Sequence, residues 1–139
     1  MKKILVCVII FIVLLSGIPE KEFSLLDYFE GDYVYYTNSP VSDKHINLGT
    51  CYMNYGKTED VSVVGESMTI QNFEPASAIK ELSADIVKTE CLEDGTIIIY
   101  AYSRLIPKKV EIEGKKVNLQ IAYYEEYSVI GWPLILGSF

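Results

Sequence analysis

Met1-Lys2-Lys3 precedes Ile4 to Leu15, a stretch without a charge, and Ser16-Gly17-Ile18-Pro19 then leads into the charged residues from Glu20 onward. A basic start, a short apolar run, small residues and a polar continuation form the layout of a secretory signal. A membrane span needs about 20 apolar residues, and this run reaches only about 15 when extended to Ile18. The expectation is export, with residues 1–18 serving as a signal peptide or, if uncleaved, as an N-terminal anchor. Leu15 stands three residues before a cut after Gly17, where a small residue is preferred, so the anchor stays open. No Cys follows Leu15-Ser16-Gly17, and a lipoprotein anchor has nothing to acylate. With Lys2 and Lys3 held at the cytoplasmic side, the remainder lies outside, in contact with membrane only through this segment.

That block is unavailable to a core, although it contributes to the 50% hydrophobic content of the 139 residues. What remains is enough for one domain at the low end of what buries a proper interior. Charge sharpens in the same way. Removing the first 17 residues takes away Lys2 and Lys3 and no acid, so a formal charge of −7 becomes −9. Nucleic-acid affinity comes largely from Lys and Arg neutralising phosphates, so an acidic chain argues against that partner.

Of three cysteines, Cys7 lies in the leader, leaving Cys51 and Cys91. In an exported chain an even count reads as a possible disulfide. It would close a loop of about 40 residues, worth roughly 4 kcal/mol on chain-entropy grounds. The alternative is that Cys91 is a core residue, sharing a strand face with Val87 and Thr89. A zinc site lacks support, because the single His45 and two distant cysteines have no ligand-pair spacing. No metal and no cofactor is implied.

Organisation shifts near residue 60. Residues 19–59 are rich in Tyr, Asn, Ser, Gly and charge and read as a tether with little regular structure, although Tyr33–Thr37 could be a strand before the loop Asn38–Asp43. Residues 60–139 read as the folded domain. Val61 and Val63 oppose Met68 and Ile70 in parity, which predicts one strand from Val61 to Gln71 with a bulge at Gly65. Pro75–Leu82 predicts a short helix, with Pro in the first turn and Ala76, Ile79 and Leu82 as its apolar stripe. Ile86–Leu92 and Thr96–Ser103 predict strands joined by the Asp-Gly signal of Glu93-Asp94-Gly95. The second of these is apolar on both faces, as a central strand would be. Val110–Ile112 is expected to pair through Glu113-Gly114-Lys115 with Val117–Ile121, which alternates apolar in and polar out. Gly131 and Pro133 make Val129–Leu136 a candidate edge strand. The order gives an α+β fold, a curved antiparallel sheet with one short helix packed on it, or a pure sandwich if the helix fails.

Catalytic equipment is sparse. His45 stands in the loop-like segment Ser42–His45, where a general base would be poorly held. Gly65-Glu66-Ser67 lacks the second glycine of a nucleophile elbow, Thr69 standing there instead. Glu111/Glu113 and Glu125/Glu126 are acid pairs that read first as solvated charge, and a glycosidase-type dyad needs two acids held in one cleft. Asp27, Glu30 and Asp32 lack the calcium-loop pattern.

Tyrosine is the unusual residue, with 11 copies clustered at Tyr33/Tyr35/Tyr36, Tyr100/Tyr102 and Tyr123/Tyr124/Tyr127. Along a sheet face tyrosines stack on sugar rings or anchor a protein partner; in a small core they are filler with the hydroxyl at the rim. Tyr100, Tyr102, Tyr123 and Trp132 are the candidate binding residues. The apolar tail from Gly131 to Phe139 packs or invites another strand.

The basic-apolar leader, the acidic remainder, the strand-helix-strand-hairpin order and the segments Lys116-Val117-Asn118-Leu119-Gln120-Ile121-Ala122 and Pro133-Leu134-Ile135-Leu136-Gly137-Ser138-Phe139 resemble the YwmB-like proteins of spore-forming Firmicutes. The resemblance covers roughly Val61 to Phe139. It implies a small exported protein of unassigned activity, possible involvement in sporulation, and a fold similar to that of the TATA-box-binding protein. DNA binding is not implied, since an acidic chain offers no basic concave face. Two functions are therefore expected: an exported, non-enzymatic envelope module binding a protein or glycan, or a cell-wall hydrolase using a pair of acidic residues.

Overall fold

Pairing between distant segments, more than any local signal, organises this chain. The computed structural model describes residues 22–56 and 62–136. A 3-10 turn at Leu25–Asp27 opens it, followed by β1 (Asp32–Thr37), β2 (His45–Asn47), β3 (Tyr52–Tyr55), β4 (Gly65–Gln71) and α1 (Pro75–Glu81). The remaining strands are β5 (Asp85–Cys91), β6 (Ile97–Tyr102), β7 (Val110–Ile112), β8 (Lys115–Val117), β9 (Leu119–Tyr123) and β10 (Tyr127–Trp132). Eight strands form one antiparallel sheet in the order β2-β3-β1-β4-β10-β9-β6-β5, and β7 with β8 makes a separate hairpin. The class is α+β, mostly antiparallel sheet with one short helix. The leader, residues 1–18, lies outside the described residues, and among those described no helix is long and apolar enough to cross a membrane.

Local signals placed several elements well. Gly95, with a φ of 89°, completes the turn between β5 and β6, its N–H donating to Leu92 O at 3.0 Å while Asp94 Oδ1 accepts from Thr96 N at 2.9 Å. Pro75 opens α1, where its missing N–H costs nothing. The helix presents Pro75, Ala78 and Leu82 to the sheet, with Ala76 exposed, so its stripe is rotated from the expected one. Leu25, Leu82, Leu119, Ile121 and Ile130 are wholly buried, each worth roughly 1.5–3 kcal/mol of apolar transfer.

Elsewhere the fold departs from the expectations. Within the stretch 19–59 expected as a tether, the described residues supply β1, β2 and β3 to the main sheet. β1 lies between β3 and β4, with Tyr35 and Tyr36 buried on opposite faces of the sheet, Tyr35 stacked on Tyr33 and Tyr36 donating its hydroxyl to Leu136 O. β4 starts at Gly65 rather than bulging there. A Cβ at Gly65 would stand 2.6 Å from the Trp132 carbonyl oxygen, so glycine is required by close approach of the chain. The irregularity falls instead in β5, between Ile86 and Lys88.

β10 is not an edge. It lies between β4 and β9, pairing Ile130 with Met68 on one side and with Ile121 on the other. Gly131 is there because the chain folds back over it: a Cβ would meet Ile135 Cγ1 at 2.8 Å and Ile135 Cα at 3.0 Å. The expected strand Val117–Ile121 is split at Asn118, which carries the chain from the β7–β8 hairpin into the main sheet. Asn118 and Gln120 are buried rather than facing water, because their amides hydrogen-bond backbone that the sheet leaves unpaired.

Candidate functional site

Cross-strand pairing decides which side chains share a surface. Ile99, Ala101, Leu119, Ile121 and Ile130 face the main core under α1 and the 3-10 turn. The opposite, outer face carries Ile98, Tyr100, Gln120, Ala122 and Val129 by the same alternation. Ile98, Ala122 and Ile135 form a second, smaller cluster there, against which Tyr100, Tyr124 and Val129 pack half-buried. Tyr124 and Tyr127 flank the tight turn between β9 and β10, the Tyr124 N–H donating to Tyr127 O at 2.9 Å. Their rings stack with centroids 4.5 Å apart and planes 22° from parallel. Burial raises the Tyr124 hydroxyl above its ordinary value.

The expected binding residues divide between the two faces. Tyr100 sits in this outer patch and Tyr102 lies two residues further along the same strand face, half-buried and opposite Asp85. Tyr123 points to the core side, its hydroxyl 3.3 Å from Glu74 Oε1. Trp132 is not a surface residue at all, being buried with its indole nitrogen bonded to Glu66. Tyr124 and Tyr127 take the places that sequence reasoning gave to Tyr123 and Trp132. The alternation of β9 could have shown this, since Ala122 on the outer face puts Tyr123 inside and Tyr124 outside.

Glu66 is the one buried acid among the described residues. It accepts four hydrogen bonds. Oε1 takes Trp132 Nε1–H at 2.6 Å and Leu25 N–H at 3.1 Å, while Oε2 takes Ser24 Oγ–H at 2.7 Å and the Tyr33 hydroxyl. Four donors around two oxygens fill the acceptor capacity of an ionised carboxylate. The arrangement pins the 3-10 turn to β1, β4 and β10. Ser24 also accepts from Leu26 N at 3.3 Å, capping the turn.

Burial, then the bond to Glu66, pushes the Tyr33 hydroxyl far above the tyrosine range, and burial raises Tyr36 as well. A phenol whose ionisation is raised on folding holds its proton longer in the folded chain than in the unfolded one. The stability it contributes is complete below the ordinary tyrosine value, about pH 10, and is lost as the pH climbs above it. The urea midpoint is therefore expected to fall above about pH 10, and less steeply in Tyr33→Phe than in the parent. Equal slopes in the two proteins would show that Tyr33 does not carry the effect.

The possible Cys51–Cys91 bridge does not form. Both thiols are free, Cys51 buried ahead of β3 and Cys91 exposed at the end of β5. Six strand spacings of about 4.8 Å separate β3 from β5, placing them roughly 29 Å apart. His45 is exposed on β2, its Nδ1 2.7 Å from Ser42 O. Glu111, Glu113, Glu125 and Glu126 are exposed, and Glu113 pairs with Lys88 at 3.0 Å. Among the described residues no three His, Cys, Asp or Glu side chains converge as a metal site would require. Comparison with protein-family models, with curated proteins and with solved structures gives no match to this chain.

Proposed function

We propose that this chain is an exported cell-envelope module, akin to the YwmB-like proteins, that binds a protein or glycan partner through the outer sheet face around Tyr100, Tyr124 and Tyr127. The stacked Tyr124–Tyr127 pair, on the same face as Tyr100 with the Ile98–Ala122–Ile135 cluster between them, is the observation that carries this reading. Its rings are partly exposed and stacked on each other where β9 ends and β10 begins, so their apolar faces and hydroxyls meet a ligand at little cost in ordering. The leader layout and the acidic remainder support a location for that surface outside the cytoplasm. Neither the rings nor their neighbours need a cofactor for such a role.

The double variant Tyr124→Ala/Tyr127→Ala tests it. Retention of the purified protein on cell-wall and membrane fragments is expected to weaken by about tenfold or more, as for aromatic anchors at interfaces. The melting temperature should stay within a few degrees, because neither ring belongs to the main core. Unchanged retention would overturn the assignment of this face.

A further inference from the structure

At one end of the main sheet β5 exposes seven residues of backbone, bonded to β6 on one side and to no strand on the other among the described residues. The opposite edge, β2, is only three residues long. Such an edge is a template for another strand. β5 carries Lys88, Thr89 and Glu90 at its centre, with Lys88 and Glu90 on one face opposite Tyr100 and Ile98. We propose that β5 pairs antiparallel with β5 of a second copy of this chain, about a two-fold axis at Thr89, joining the two sheets edge to edge.

The register follows from charge. In an antiparallel pair centred on Thr89, Lys88 of each copy stands opposite Glu90 of the other, so two opposite-charge pairs form at once. A centre on Lys88 or Glu90 would oppose like charges. Lys88 already bonds Glu90 of its own strand at 2.7 Å and Glu113 at 3.0 Å, which holds its ammonium on that face. An edge lysine normally discourages pairing, and the irregularity between Ile86 and Lys88 bends the Asp85 end away. Both devices admit a partner whose acid meets Lys88 and resist others, which is how such edges gain specificity. Ile86 and Leu92, 55% and 40% exposed, flank the paired stretch, Ile86 on the face of Ala101 and Leu92 beyond Cys91 at the other end of the strand. The contact is small, below the roughly 1,200 Å² of a standard interface, so the dimer is expected to be weak and concentration-dependent.

Cross-linking and charge reversal test this on the full chain. With Cys7, Cys51 and Cys91 changed to alanine, Thr89→Cys should form a covalent dimer under mild oxidation, since directly opposed residues have Cα atoms about 4.5–5.5 Å apart, within disulfide reach. In a Glu113→Gln background, Lys88→Glu or Glu90→Lys alone should weaken association about tenfold by sedimentation equilibrium, and the double reversal should restore it. A chain that stays monomeric to about millimolar concentration overturns the proposal. So does a dimer that is indifferent to the reversals and that the Thr89→Cys variant fails to cross-link.

Discussion

Replacing Glu66 with alanine is expected to remove about 4 kcal/mol of stability, measured as a loss in the urea-unfolding free energy. Two of the four donors it satisfies cannot turn away: the Leu25 amide belongs to the 3-10 turn and the Trp132 indole is fixed by its buried ring. Each would be left without a partner in a dry site, at about 1–3 kcal/mol apiece, on top of the lost bonds to an ionised acceptor. Domains are stable by only about 5–15 kcal/mol, so the alanine variant should be marginal. Protease should then cut first in residues 22–30, which the carboxylate holds against the sheet.

Glutamine at the same position separates the acceptor geometry from the charge. The two nitrogen donors share Oε1, whereas Oε2 is bonded only to hydroxyls, those of Ser24 and Tyr33. Hydroxyls reverse their role by rotating. An amide oxygen at the Oε1 position would keep both N–H bonds, and its NH₂ would donate to Ser24 and Tyr33 where Oε2 had accepted. Glu66→Gln is therefore expected to cost about 1 kcal/mol, a small part of the alanine loss. If glutamine proves as damaging as alanine, the negative charge itself holds the turn.

Glu66 also shows how much was readable in advance. It shares strand parity with Met68 and Ile70, so an acid on the apolar side of β4 was visible, but its four donors come from segments up to 66 residues away. The same split runs through the fold. The Glu93-Asp94-Gly95 turn, the run Ile97–Tyr102 and the proline-led helix are local and were legible. The place of β10 was not, because it rests on pairing with β4, and because Gly131 and Pro133 read as edge residues until Ile135 is seen packed on Gly131. Tyr33–Thr37 looked like a strand, yet nothing local said that β4 would pair with it. For the outer patch, the cluster Tyr123/Tyr124/Tyr127 was evident, but which of its members faces outward depends on where β9 begins. Asn118 decides that starting point.

Asn118 is expected to be the most sensitive position after Glu66. Its Oδ1 accepts from Ser103 N at 2.8 Å, and its Nδ2 donates to Ser103 O at 2.7 Å and Ile106 O at 2.9 Å, all buried. Its own N–H bonds Ala101 O at 3.1 Å. These bonds set the corner at which the chain leaves the β7–β8 hairpin and enters β9. Asn118→Ala leaves the Ser103 amide and the Ile106 carbonyl unpaired, and Ser103 O with only the 3.4 Å bond from Ile106 N, at about 3 kcal/mol in total. Asn118→Asp should be worse near neutral pH, because a carboxylate can accept from Ser103 N but faces two carbonyl oxygens with nothing to donate. Burial against those oxygens raises the aspartate's folded-state ionisation above its unfolded value of about 3.9. The sign follows: the folded chain favours the protonated acid, so the deficit relative to the parent is smallest below about pH 4 and grows as the pH rises through the raised value. Urea unfolding of both proteins from about pH 3 to pH 8 measures that difference directly, and a deficit independent of pH would show that Asn118 acts through its shape rather than through its two donated hydrogens.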